Sequence, residues 1–222
     1  VAFAFGARNL YSEGWSLSDR IKRTEHYTKD LIMYKLKVIT STVRPGRKGP
    51  VVAAWILEVA RQYGHFDVEL LELGEINLPM MNESKHPSLR QYEHEHTKKW
   101  SAVIYEADAF IFVTAEYNSN YPAPLRNALE YLVQEWSHKP AGIVSYGGIS
   151  AGTRAATNLK SDLAVFKTMA LPEAVNLPFF TKSINEQNEL VVNDTSKKAA
   201  KAMLDELLKW TEALKPMRSV AS

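Results

Sequence analysis

The sequence contains no cysteine. Disulfides, thiolate metal sites and a cysteine nucleophile are thereby excluded, and the absence fits a reducing, cytoplasmic location. Long apolar runs are missing too: nothing approaches the roughly 18 residues that a membrane helix needs. The apolar stretch 1–6 is too short for a signal core and lacks a basic start. Neither sign of charge dominates. The 27 Lys and Arg stand against 25 Asp and Glu, for a formal charge of +2, which leaves no broad nucleic-acid footprint. Neither a membrane nor a nucleic acid is therefore expected as a partner.

What is present suits one large domain: 222 residues, 45% hydrophobic and 23% charged, with no repeat and no low-complexity tract. Residues 1–35 read as an extension of unknown role. Their scattered acids, Glu13, Asp19, Glu25 and Asp30, do not suit a mitochondrial presequence. Residues 36–216 read as the folded domain and 217–222 as a tail.

From Leu36 onward the pattern alternates strand and helix, the signature of a doubly wound parallel sheet with helices on both faces. Strands are expected at 36–41, 68–73, 109–114, 141–145 and 174–177. Helices are expected at 50–63, 95–106, 122–136, 153–167 and 195–214, with 74–93 as loop. Pro50 at a first turn and Gly64 past a last one are ordinary terminus signals. The most hydrophobic strand, 109–114, should be central.

In such a sheet, ligands sit beyond the carboxyl ends of the strands, where strand order reverses. After the first strand comes Thr42-Val43-Arg44-Pro45-Gly46-Arg47-Lys48-Gly49, leading into a helix. It offers a hydroxyl, cations, backbone amides and the positive end of a helix dipole, a combination that suits a phosphate. It is also readable as a solvated basic turn. The order Lys48-Gly49-Pro50 does not complete a Walker A motif, so triphosphate hydrolysis is disfavoured. After the third strand, Glu116-Tyr117-Asn118-Ser119-Asn120-Tyr121-Pro122 could grip the edge of a flat ring, or could be an ordinary capped loop. After the fourth, Ser145-Tyr146-Gly147-Gly148 would let backbone amides approach a ligand closely.

A rival lies in this last segment. Gly148-Ile149-Ser150-Ala151-Gly152 has the Gly-x-Ser-x-Gly form of a hydrolase elbow. That fold needs its histidine after the serine, yet all six histidines precede Ser150. His94 and His96, flanked by Glu93 and Glu95, hint at a metal, but alternate residues of a helix diverge. No metal is expected.

At these three loops the sequence resembles the NADPH-dependent FMN reductase family, from about Leu36 to Leu177. Ser41-Thr42-Val43-Arg44 is similar to its Gly-Ser-x-Arg phosphate loop. Glu116-Tyr117-Asn118, with Pro122, Leu125, Arg126 and Asn127, resembles its Pro-Glu-Tyr-Asn segment. Ser145-Tyr146-Gly147-Gly148 resembles the stretch that meets the pyrimidine end of the flavin. Ser41 and Ala115 depart from the family's Gly and Pro, and Ala151 stands where Gly is common.

The resemblance implies a flavodoxin-like fold. It implies FMN held at its phosphate by Thr42, Arg44, Arg47, Lys48 and Gly49, and by Glu116, Tyr117, Asn118, Ser145, Tyr146, Gly147 and Gly148 elsewhere. It further implies NADPH or NADH as co-substrate, and transfer to a quinone-like, azo or other small acceptor. No side chain is nominated as catalytic, because the flavin carries the chemistry. A homodimer or homotetramer is implied as well. The alternative is a flavin-binding electron carrier or redox-sensing adaptor with little turnover.

Overall fold

The computed structural model describes residues 33–218. The expected extension lies outside the described residues except at its end, where the first strand already begins. Five parallel strands form one sheet in the order β2-β1-β3-β4-β5. They are β1 (Tyr34–Thr40), β2 (Phe66–Glu72), β3 (Ala109–Ala115), β4 (Pro140–Gly147) and β5 (Met169–Pro178). The longer helices between and after them are α1 (Gly49–Tyr63), α2 (Glu95–Glu106), α3 (Ala123–Glu130), α4 (Thr153–Val165) and α5 (Asp194–Arg218). The fold is α/β and flavodoxin-like, as expected.

Period-two alternation sorts the strand side chains to two faces. Val38, Ile111, Val113 and Val144 pack against Val52 and Ile56 of α1 and Met203, Leu204 and Leu207 of α5. Ile39, Phe110, Phe112 and Ile143 pack against Ile104, Leu129 and Leu163 of α2, α3 and α4. Every residue of β3 is buried, because this strand is covered on both faces and paired on both edges. At the pole away from the strands' carboxyl ends, Lys139 is buried and donates to the carbonyls of Ile104 at 2.7 Å and Tyr105 at 2.8 Å. It thus closes the last turn of α2. Burial lowers its amine to about 7, with Arg218 acting in the same direction.

Four elements differ from expectation. The stretch expected as loop over 74–93 includes a one-turn helix, Leu73–Ile76, and a short 3-10 turn, Pro87–Leu89. The helix expected over 122–136 ends at Glu130, and Trp136 sits in a separate short turn, Gln134–Trp136. The carbonyls that would continue it are taken by indoles: Trp100 Nε1 donates to Ala128 at 2.9 Å and Trp136 Nε1 to Leu129 at 3.2 Å. The fifth strand, expected at 174–177, starts at Met169. Its pairing with β4 shifts register between Ala141 and Ile143, and an edge strand with such an irregularity tolerates Pro172. The last helix runs through Pro216 to Arg218, where Arg218 Nη2 meets Asp108 at 2.9 Å. The expected tail therefore begins inside this helix, and its last four residues lie outside the described ones.

Candidate functional site

Strand order reverses between β1 and β3, so the loops after them open onto the crevice where such sheets bind ligands. Ser41 extends the seam between these strands. Its N–H donates to the Val113 carbonyl at 3.0 Å, and its Oγ accepts from the Ala115 N–H at 3.4 Å. The side chain is turned into the sheet and does not crowd the loop that follows.

That loop turns at Arg44-Pro45-Gly46-Arg47, closed by the Arg47 N–H on the Arg44 carbonyl at 3.1 Å. Pro45 pre-sets the first corner, and Gly46, at φ 71°, supplies the positive φ of the second. The chain then enters α1, which has no side-chain N-cap and no acid in its first turn. A positive helix end left this way suits an anion. Beside it, Thr42 is sealed from solvent and its Oγ1 has no well-formed hydrogen bond. Gly49 leaves the room: a Cβ there would stand 2.4 Å from Thr42 Oγ1 and 2.9 Å from the Tyr146 hydroxyl.

The three cations of this loop part ways. Arg47 donates through Nε to Glu72 at 2.9 Å and pairs with it through Nη2 as well. Lys48 donates to Asn188 Oδ1 at 3.1 Å. Arg44 has no carboxylate partner among the described residues, and its guanidinium lies 5.8 Å from the centre of the Tyr117 ring. The structure therefore brings Thr42 and Gly49 together at the start of α1, sets Arg44 beside Tyr117, and ties Arg47 and Lys48 to neighbouring segments.

After β3, Tyr117 and Asn120 exchange backbone hydrogen bonds of 2.8 and 3.0 Å around Asn118 and Ser119, both at positive φ. This two-residue turn presents the half-exposed Tyr117 ring beside Arg44. Glu116 faces the other way. Its carboxylate accepts from the Arg154 backbone N–H at 3.2 Å and from Arg154 Nη1 at 2.9 Å, so it caps α4. Burial pushes this carboxyl up, but Ser150 and Arg154 hold it below the usual carboxylate range. Asn127 binds the Met81 N–H at 2.9 Å and the Pro79 carbonyl at 2.7 Å, pinning the long loop after β2. Arg126 pairs with Glu130 and Asp162.

After β4, Ser145 and Tyr146 are buried. Ser145 Oγ lies 2.8 Å from the Ala151 carbonyl and 2.7 Å from the Asn176 side chain. Tyr146 points under the first loop, its ring packed on Phe180 with centroids 4.6 Å apart. The two glycines then differ. A Cβ on Gly147 would lie 3.1 Å from the Gly152 nitrogen, so this glycine serves the turn. A Cβ on Gly148 would meet nothing within 4 Å, so this one faces open space. Gly148 and the Phe179 N–H are joined by a 3.2 Å hydrogen bond, which brings in the start of the segment after β5.

Ser150 does not have the geometry of a nucleophile. A strained elbow would place the serine itself at positive φ, but here Ala151 and Gly152 take that conformation. Its hydroxyl is a partner of Glu116. His94 and His96 lie elsewhere, stacked on each other at 5.1 Å and bound to Asn82. The pattern reading missed Arg154, which ties the second loop to the third, and the Phe179-Phe180 pair. Two aromatics directly after a strand's closing Pro178 were the available signal.

As assembled, the start of α1, with its uncapped amides beside Thr42 and Gly49, suits an anion. The pattern of the NADPH-dependent FMN reductase family matches residues 34–182. An NAD(P)H-dependent FMN reductase of Schizosaccharomyces pombe is 40% identical over 148 residues, covering 65% of this chain and 74% of its own. An NAD(P)H-dependent FMN reductase of a Nectria species is 35% identical over 176 residues, covering 75% and 87%. Among solved structures, a flavoenzyme NAD(P)H:(acceptor) oxidoreductase from Paracoccus denitrificans superposes with a TM-score of 0.65. It is 21% identical and covers 82% of this chain and 99% of its own, a likeness of fold.

Proposed function

This chain belongs to the NADPH-dependent FMN reductase family, and from that premise we propose how its crevice serves an FMN-dependent NAD(P)H oxidoreductase. The observation that carries the assignment of residues is the cradle at the start of α1. A buried Thr42 hydroxyl with no well-formed hydrogen bond, a glycine whose Cβ would fill the gap and an uncapped helix end fit a phosphate monoester. Arg44 supplies the charge to this subsite. Tyr117 and the backbone at Gly148 flank the ring, and Glu116 holds both flanking loops in place from behind. When bound, FMN supplies the redox chemistry, accepting reducing equivalents from NAD(P)H and passing them to an acceptor. The chain's own part is to bind, orient and leave one face open.

The acceptor in this reading is a small planar molecule of the quinone or azo type, which would stack where the nicotinamide stacks. Val43, Tyr117, Ile149 and Phe179, apolar side chains exposed on the loops at this end of the sheet, suit such a ring. They also suit pairing of subunits, which favours a homodimer or homotetramer. No described helix is long and apolar enough to cross a membrane, and the lack of cysteine supports a reducing cytoplasm.

Arg44→Ala should weaken FMN binding by about 1.5–3 kcal/mol, the range for a hydrogen bond to a charged group. Riboflavin, which has no phosphate, should bind wild type and variant alike. An FMN affinity left unchanged would remove Arg44 from the subsite. Steady-state assays with NADH and NADPH against a quinone panel test the activity itself. With one cofactor position, nicotinamide and acceptor must use the same mouth in turn, so reciprocal plots at several acceptor concentrations should be parallel. Intersecting lines would mean that the acceptor has its own pocket. Flavin reduction in the absence of turnover would instead describe an electron carrier.

A further inference from the structure

Two buried hydroxyls converge on one point beneath the first loop. Thr42 Oγ1 and Tyr146 Oη stand 2.4 and 2.9 Å from where a Cβ of Gly49 would be, and neither has a well-formed hydrogen bond. Thr42 is 1% exposed and Tyr146 3%, so water does not satisfy them. A buried hydroxyl with no well-formed hydrogen bond is costly. A core-filling role would be met equally well by phenylalanine, because the ring already packs on Phe180. The polar atom must therefore have another use.

Its surroundings show which. Tyr146 comes from β4, whose glycines the resemblance places at the ring end of the cofactor, yet its phenol reaches the opposite part of the crevice, beside the start of α1. Burial pushes this phenol up to about 12, the Thr42 hydroxyl acting in the other direction. It therefore stays protonated across the physiological range and can act as a donor. A phosphate oxygen only accepts. Thr42 has one proton to give and lone pairs to receive one. The arrangement that satisfies all three groups is a relay: Tyr146 O–H donates to Thr42 Oγ, and Thr42 O–H donates to the anion. Each hydrogen bond then polarises the next.

We propose that Tyr146 is a positioning residue of the phosphate subsite, orienting the Thr42 hydroxyl toward the phosphate, and that Gly49 is there to let the two hydroxyls meet. The proposal rests on the FMN reading given above. It makes Tyr146 a determinant of preference for phosphorylated over unphosphorylated flavin, with no contact to the ring required.

The experiment titrates FMN and riboflavin separately into flavin-free full-length protein and follows quenching of flavin fluorescence. Wild type, Tyr146→Phe, Thr42→Val and the double variant are compared. Tyr146→Phe should weaken FMN about tenfold, the upper end for a hydrogen bond between neutral groups, and leave riboflavin unchanged. In the Thr42→Val background it should have no further effect, since the two act as a unit. Equal weakening of both flavins, as a loosened core would give, overturns the proposal. So does an FMN effect that simply adds to that of Thr42→Val, or an unchanged preference for FMN. A wild type that binds neither flavin would overturn the cofactor reading itself, and this inference with it.

Discussion

Replacing Gly152 by alanine should lower the melting temperature of the protein by about 10 °C, the largest stability change expected from any one-atom addition near the site. Two costs combine there. Gly152 sits at φ 79°, and an alanine forced into that left-handed conformation costs about 1–2 kcal/mol. The added Cβ would also lie 2.7 Å from the Tyr146 nitrogen, 2.9 Å from the Tyr146 carbonyl oxygen and 2.9 Å from Ser145 Cβ. Most of that is backbone at the carboxyl end of the interior strand β4, so no rotamer relieves it, and overpacking of this kind adds about 1–3 kcal/mol. A total near 3 kcal/mol corresponds to roughly 6–12 °C for a domain of this size. Gly148→Ala is the control. Its Cβ enters open space at an ordinary φ, so its stability should stay within about 0.5 kcal/mol of wild type. Thermal melts of both variants without flavin decide the matter. If Gly152→Ala melts like wild type, the loop from Gly147 to Gly152 does not fold back on β4 as described.

That pair of glycines also shows what the sequence could and could not convey. The final glycine of Gly-x-Ser-x-Gly has the same letter whether it opens a nucleophile elbow or lets a loop rest on a strand. Only the position of its missing Cβ tells them apart. The strands were legible because short apolar runs have few alternatives once separated by helices; their order came from the structure. The direction of Tyr146 was legible in principle by the same rule. Val144, two residues earlier, faces α1 and α5, and Tyr146 shares that cluster, so its phenol had to point under the first loop and not at a ring beyond it.

Partner choice was not legible. Arg44, Arg47 and Lys48 look alike in a basic loop, but Glu72 ends the strand beside β1 and captures Arg47, and Asn188 from a distant segment meets Lys48. Nor could a local pattern reveal that two indoles from outside the helix would end α3. Its apolar spacing continues through Leu132 and Trp136, both fully buried, and the burial is achieved without helical backbone.

Gly49→Ala should cut FMN affinity by about a hundredfold, and here two effects of opposite sign must be weighed. Exchanging glycine for alanine in a helix gains roughly 0.5–1 kcal/mol from the reduced freedom of the unfolded chain. In this first turn, with Pro50 already fixing the next residue, the gain is expected at the low end. Against it stands a Cβ placed 2.4 Å from Thr42 Oγ1, well inside contact distance. The threonine can turn about χ1, which relieves the clash but swings its hydroxyl out of the cradle. The Tyr146 hydroxyl, 2.9 Å from the new atom, blocks an easy shift of the helix in that direction. Stability should therefore fall by only about 1–2 kcal/mol, at the lower end of overpacking costs. Binding suffers more, because the anion loses a donor worth about 1.5–3 kcal/mol and finds a methyl group in its place. The same titration with riboflavin should show little change, since the unphosphorylated flavin does not enter the cradle. An FMN affinity within about threefold of wild type would place the phosphate elsewhere than at the start of α1.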